Sequence, residues 1–247
     1  MTSPRELRVL PVEGMPEVEE GMALGRLIAE RAELADGDVV VISQKVVSKA
    51  EGRLRRLSAV APDEVALRLG ALLGKEPALV QLILDESREV LRAERGVLIT
   101  ETRQGIVCAN AGIDSSNIGE PGTVALLPED PDGSARRIRG ETGSRAAVVI
   151  SDSVGRAWRV GQAEIAIGCA GMRPLDDWRG RRDAHGDPLA ATLIAVADEA
   201  AAAADLVRGK ASRVPAAVVH GLERFVTVED GPGAAAIRRP PEEDLFR

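Results

Sequence analysis

Aromatic side chains are nearly absent: two tryptophans, two phenylalanines and no tyrosine in 247 residues. That excludes a surface that stacks nucleic-acid bases on rings. The core must therefore be assembled from Val, Leu, Ile and Ala. Cysteine is as scarce. Cys108 and Cys169 stand apart from each other and from both histidines. No Cys-x-x-Cys or Cys/His spacing exists, which leaves neither a disulfide framework nor a structural zinc site. Dense basic blocks are missing, and the net charge of −7 has the wrong sign for a face that neutralises nucleic-acid phosphates. No apolar run reaches membrane-spanning length, and Glu6, Arg8 and Glu13 interrupt any secretory leader core. A cytoplasmic protein with no nucleic-acid and no membrane partner is expected. The chain also lacks a P-loop, a GxGxxG fingerprint, a GxSxG elbow and a cysteine beside a histidine, so none of those four kinds of machinery is indicated.

What is present is a hydrophobic fraction of 45% in a chain long enough for one large domain or two intimate ones. Residues 7–12, 39–42, 146–150, 163–168 and 215–220 are short apolar runs that predict strands, and 96–100 with 105–109 predict a hairpin. A helix carrying Met22, Leu24, Leu27 and Ile28 is expected to end near the turn Asp36-Gly37-Asp38. Val65, Leu69, Leu72 and Leu73 make a second helical stripe, and Val80, Ile83 and Leu84 a third behind Pro77. The acidic turn at 128–134 predicts a short helix through Arg137. Asp187-Pro188 predicts the start of a long alanine-rich helix that ends near Gly209. Segment 174–187 reads as a charged surface loop or as a lid or substrate loop. The tail from Pro232 reads as partly loose. His185 and His220, with no catalytic neighbour in sequence, read as structural.

The organising stretch is Ser151-Asp152-Ser153-Val154-Gly155-Arg156, directly after an apolar run. An acid at the end of a buried strand can hold a metal ion, a serine hydroxyl can add a ligand, and Arg156 can meet phosphate or carboxylate. The same letters also suit an ordinary Asp/Ser/Gly turn. Residues 110–119 repeat the pattern with Asp114 and Asn117. The polar stretch 44–53 follows another apolar run, where ligand loops are commonly placed, and brings Lys45 and Lys49. Lys210 stands on a second basic loop. Acids, metal and cations together are the equipment of phosphoryl chemistry.

Six stretches carry a family resemblance: PVEGMPE at 11–17, QKVVSKAEGR at 44–53, CANAGIDSSN at 108–117, DSVGR at 152–156 with its continuation to 168, residues 183–198, and AADLVRGK at 203–210. On these the chain resembles the coenzyme F420-0:L-glutamate ligase family, over nearly its whole length. The resemblance implies an α+β fold of mixed and antiparallel sheets with packed helices, one ligase domain over 1–247 built as two interwoven lobes, and a homodimer. It implies a reaction in which GTP drives the joining of L-glutamate to coenzyme F420-0 and then γ-linked additions. Alternatives are a same-fold ligase acting on another carboxylate, a non-catalytic nucleotide-binding dimer and a metal-dependent phosphohydrolase. Carried over residue by residue, the implied metal ligands are Asp114, Asp152 and Ser153, for Mg²⁺ or Mn²⁺, two per subunit, with K⁺ assisting. Asp114, Asp152 and Arg156 are the implied catalytic residues. The GTP contacts fall on Met15, Pro16, Glu17, Val18, Gln44, Lys49, Asn117, Val207, Arg208, Gly209, Lys210, Ala211, Ser212, Arg213 and Val214. Five positions depart from the pattern of relatives: Gln44, Gln104, Lys210 and the pair Ser212-Arg213. The flavin-binding domain appended in actinobacterial members is expected to be absent, and with it any activity that depends on that domain.

Overall fold

The computed structural model describes residues 6–245. Its strands are β1 (Arg8–Pro11), β2 (Val39–Ser43), β3 (Leu54–Arg56), β4 (Ser87–Glu94), β5 (Val97–Thr102), β6 (Val107–Ala109), β7 (Thr123–Ala125), β8 (Ala147–Arg156), β9 (Arg159–Ala170), β10 (Asp176–Asp177), β11 (Leu193–Ile194) and β12 (Ala216–His220). Its helices are α1 (Leu24–Ala29), α2 (Gln44–Ala50), α3 (Glu64–Leu73), α4 (Pro77–Asp85), α5 (Pro131–Thr142) and α6 (Val196–Arg208). This is a mixed α+β architecture. The largest sheet has five strands in the order β1-β12-β2-β8-β9, beside smaller sheets β4-β5-β6, β3-β7 and β10-β11. In the large sheet β2 and β8 run parallel, and every other neighbouring pair is antiparallel.

Side chains alternate across a strand, and here both faces are covered, so the central strands read as unbroken apolar runs. Val40, Ile42, Val148, Ile150 and Val218 pack with Leu24 and Ile28 of α1 and with Ala135 and Ile138 of α5. Val39, Val41, Val149, Ala217 and Val219 face the other way, against Ala197, Ala200, Ala201 and Ala204 of α6. Each buried Val or Ile contributes roughly 1.5–3 kcal/mol. Alanine gives α6 little side-chain depth, which lets that helix lie close on the sheet. After α2 the chain leaves the large sheet and builds its own apolar clusters, one on Leu73, Val80, Ile83 and Leu98 and another on Leu57, Leu82, Val124 and Leu126. It returns to the large sheet with α5 and β8.

The crossing of α1 and α5 depends on the absence of a side chain at Gly25. A Cβ there would stand 2.2 Å from the Ile138 carbonyl oxygen and 2.6 Å from the Glu141 Cβ. The Gly25 N–H also donates to Glu141 Oε2 at 2.9 Å. Gly25→Ala should therefore destabilise the protein by about 1–3 kcal/mol through overpacking, read as a lowered urea midpoint at unchanged slope.

Several expected elements differ. Residues 44–50 form helix α2, not a polar loop. Ser48 Oγ donates to Gln44 Oε1 one turn back at 3.0 Å, and Val47 is fully buried, so polar residues face inward and mask the helical period. Residues 151–156 continue β8 and are not a tight turn; the chain reverses only between Arg156 and Arg159. α5 runs well past Arg137, capped by the Asp130 carboxylate on the Gly133 N–H and closed by Gly143. α1 is short, and Asp38 closes the following turn by accepting the Ala35 N–H at 2.8 Å. α6 starts at Val196, not at Asp187, because the Asp183 carboxylate captures the backbone N–H groups of His185 and Asp187 at 2.8 and 2.9 Å and holds that segment as a turn. Strand β4 was not expected; its mostly exposed residues carry little apolar alternation. The tail is pinned rather than loose at its start: Asp132 accepts the N–H of buried Ala234 at 2.7 Å. Residues 246–247 of the tail lie outside the described residues. His220 Nδ1 lies 2.7 Å from Asp38 Oδ1, a structural pairing at the sheet end opposite the site described next. Among the described residues no helix is long and apolar enough to cross a membrane.

Candidate active site

The parallel ladder of β2 and β8 ends at Ser43 opposite Ser151. Ligand sites in such sheets form beyond the carboxyl ends of parallel strands. Asp152 is the first residue past that end, and β8 carries it onward only because it continues to pair with β9. A bulge between Ile150 and Ser151, where β9 skips Ile167, shifts the register. Such a bulge re-aims the side chains beyond it. The loops before β12 and after β1 open at the same end, because β12 runs antiparallel to both β2 and β1.

A cavity of ≈ 680 Å³ occupies this position. It is lined by Met15, Pro16, Glu17 and Val18 after β1, by Gln44, Lys45 and Lys49 of α2, by Asp114, Ser116 and Asn117, by Asp152 and Ser153, and by Arg208, Gly209, Lys210, Ala211, Arg213 and Val214. Three of the residues named from the sequence do not line it. Val207 packs against the core under α6. Ser212 Oγ donates to the Gly209 carbonyl at 3.1 Å. Arg156 is exposed near the hairpin tip, where it donates to the Val160 carbonyl at 3.2 Å. Gln104 is also elsewhere, donating to the Pro128 carbonyl at 2.9 Å.

Glu164 lines the cavity and was missed. It sits on β9 opposite Ser153 and is only 6% exposed. Its signal was available, since it is the one charged residue in an otherwise apolar run. Glu164 accepts from Ser153 Oγ and from Arg208 Nη2 at 2.8 Å. Arg208 Nη2 also donates to Ser151 Oγ at 3.0 Å, while the buried Arg208 Nη1 has no hydrogen-bond partner among the described residues. A buried guanidinium with a spare donor on a cavity wall is equipped for an anion.

The acids differ in their surroundings. Burial opposes ionisation of Asp114, but Lys45 and Ser116 outweigh it and hold its carboxyl below the ordinary range. Lys45 Nζ lies 2.8 Å from Asp114 Oδ2. Burial of Glu164 is likewise outweighed, chiefly by Arg208, and its carboxyl is lowered. Asp152 goes the other way: burial first, then the charges of Glu164 and Asp114, push its carboxyl up to about 7. Among the described residues no ion pair reaches it; the Ser153 N–H and the Gln44 side chain are what favour its charge. Burial pushes both cysteine thiols up to about 12, so neither serves as a nucleophile at neutral pH.

Backbone strain surrounds Asp114. Asn110 and Ala111 take φ of 55° and 54°, in the left-handed region ahead of Gly112 at 69°. Asn117 and Arg213 also take positive φ. Non-glycine residues there cost of order 1 kcal/mol or more each, and such strain collects at ligand sites. Asp114 itself is fixed by two backbone hydrogen bonds to Ala125 of β7, at 3.1 and 2.8 Å. The Asn117 side-chain amide donates to the Lys210 carbonyl at 3.2 Å, which ties the two loops together. Lys49 Nζ pairs with Glu17 and donates to the Asn117 carbonyl at 3.3 Å.

Among the described residues no three His, Cys, Asp or Glu side chains form a ready metal cage. Asp114 and Asp152 still fit a hard divalent ion. Mg²⁺ and Mn²⁺ accept one or two carboxylates and complete their shells with water and phosphate oxygens. The carboxyl of Asp152, which has no cationic partner among the described residues and is opposed in ionising by burial and by Glu164 and Asp114, is the observation that favours a cation there.

Residues 14–221 match the model of the family described as F420-0:Gamma-glutamyl ligase. The chain is 43% identical over 251 residues to the coenzyme F420:L-glutamate ligase of Methanothermobacter thermautotrophicus, covering 98% of this chain and 99% of that protein. It is 44% identical over 246 residues to the protein of the same name from Archaeoglobus fulgidus, covering 98% and 96%. The Methanopyrus kandleri protein of that name is 44% identical over 247 residues, covering 98% of each.

Proposed function

From the premise that this chain belongs to the F420-0:gamma-glutamyl ligase family, we propose that it joins L-glutamate to coenzyme F420-0 with GTP as the driving co-substrate, then adds γ-linked glutamate. The observation that carries this reading is the single cavity in which Asp114, Asp152 and the segments assigned to GTP meet.

A carboxylate resists attack by an amine because its charge repels the nucleophile and it offers no leaving group. In the proposed reaction an acceptor carboxylate oxygen bonds to the γ-phosphorus of GTP, the bond to the β-phosphate oxygen breaks, and GDP leaves. The glutamate amine attacks the carbonyl carbon of the resulting acyl phosphate, inorganic phosphate departs, and the amine nitrogen loses a proton. The protein's contribution is position and charge. Lys49, Lys210 and Arg208 Nη1 face the phosphates, and residues 15–18 and 209–214 enclose the nucleotide. Asp114 and Asp152 would hold Mg²⁺ or Mn²⁺, which when bound neutralises phosphate charge. The reading also includes K⁺ as a helper ion, two interwoven lobes, a homodimer and a cytoplasmic setting.

The test is mass spectrometry of F420-0 incubated with the protein, GTP, Mn²⁺ and glutamate. Expected is a product heavier by one or more glutamyl residues, with GDP formed only when acceptor and glutamate are both present. GTP hydrolysis that ignores the acceptor would replace the ligase reading with a phosphohydrolase.

A further inference from the structure

Of the carboxylates that line the cavity, Asp114, Asp152 and Glu164 have their charges met unequally. Asp114 has Lys45 at 2.8 Å. Glu164 has Arg208 at 2.8 Å and Lys210 at 4.0 Å. Asp152 has no ion-pair partner among the described residues. Ser153, assigned from the sequence as a metal ligand, is already engaged on both sides: its hydroxyl donates to Glu164 and accepts from Lys210 Nζ at 2.6 Å. A hydroxyl has one proton and two lone pairs. A metal on the remaining lone pair would stand in contact with the lysine ammonium, cation against cation. The donor set at Ser153 therefore does not fit a second divalent ion.

We propose that the Lys210 ammonium is the resident cation at Ser153, so that the site takes one divalent ion, held by Asp114 and Asp152, instead of two. This rests on the metal-dependent reading given above. The backbone at Lys210 is held by the Asn117 amide on its carbonyl, which aims the side chain across the cavity. The side chain itself is 70% exposed, so it can be exchanged without disturbing the core. Lys210→Gln keeps comparable reach and replaces the fixed charge with an amide oxygen able to ligate a hard ion.

The experiment counts protein-bound Mn²⁺ by the loss of the free-ion electron paramagnetic resonance signal, using the full chain saturated with a non-hydrolysable GTP analogue at one equivalent. One bound ion per chain is expected for the natural sequence and two for Lys210→Gln. Two ions in the natural sequence would overturn the inference and leave the ligase proposal standing. One ion in both proteins would overturn the role of Lys210 in excluding the second. No bound ion in the natural sequence would overturn the metal-dependent reading itself and this inference with it.

Discussion

Asp152→Asn is expected to lower acceptor- and glutamate-dependent GDP release by about 10³-fold, the order seen when one preorganised charge-stabilising group is removed, and at the same time to raise the melting temperature of the metal-free protein. The two effects share one cause. Burial and the charges of Glu164 and Asp114 push the Asp152 carboxyl from its ordinary 3.8 to about 7. A carboxyl whose pKa is raised by folding favours its protonated form in the native state. Its ionisation costs nothing below about pH 4; the penalty grows between about pH 4 and 7 and stays constant above. Each unit of pKa shift corresponds to about 1.4 kcal/mol, so the penalty is of the order of a few kcal/mol. Asparagine removes it at nearly the same volume. At about 2–4 °C per kcal/mol for a chain of this size, the variant should melt several degrees higher than the natural protein at pH 8, and the gap should close toward pH 4. Mn²⁺ should stabilise the natural protein at pH 8 and leave the variant unchanged, since only a ligand that binds the native state raises its stability. Near-normal turnover, or a lower melting temperature at pH 8, would remove Asp152 from the assigned role.

That opposition between stability and use explains which parts of the molecule were legible in the sequence. Residues 39–42, 147–150 and 216–219 must satisfy one demand, burial on both faces of a sheet. They spell it in β-branched and alanine residues, and each forms the expected strand. The hairpin of β5 and β6 was legible for the same reason. Elements that touch the cavity answer to two demands and blur the pattern. α2 turns Gln44, Ser48 and Lys49 inward, so its period disappears from the hydropathy. β8 carries polar residues past the end of β2 because they face a ligand space and not a core, and they resemble a turn. Glu164 stands out as a lone charge in an apolar run, but its pairing with Arg208 joins positions 44 residues apart, so its place in the site is not read from local spacing. Arg156 was drawn to the site by its nearness to Asp152 in sequence. In an extended strand, four residues span about 13 Å, and they carry it to the exposed tip.

The Arg208–Glu164 pair leads to the other large effect. Arg208 ends α6 and begins the loop over the cavity, and the side chains of the pair are only 5% and 6% exposed. Removing one member leaves the other charge buried without compensation, which typically costs roughly 3–5 kcal/mol. Arg208→Met should reach the lower part of that range, because Lys210 at 4.0 Å can move toward the abandoned carboxylate. Glu164, held below its ordinary range chiefly by Arg208, contributes stability that is present above the unfolded carboxyl range and fades as the pH falls through its lowered value. The destabilisation by Arg208→Met should therefore be large at pH 7 and shrink under acid. Adding Glu164→Gln to Arg208→Met removes the stranded charge and should recover much of the loss, because a buried pair replaced as a unit is often close to neutral. Urea unfolding of the two single variants and the double variant closes the cycle, and additive losses would show that the pair does not act as a unit. Nucleotide affinity should behave differently. Arg208 lines the cavity and its Nη1 has no hydrogen-bond partner among the described residues, so its loss should weaken binding of a GTP analogue in the single and the double variant alike. Stability recovered without affinity would separate the two tasks of this side chain. Affinity recovered together with stability would mean that Arg208 acts on the nucleotide only by holding Glu164.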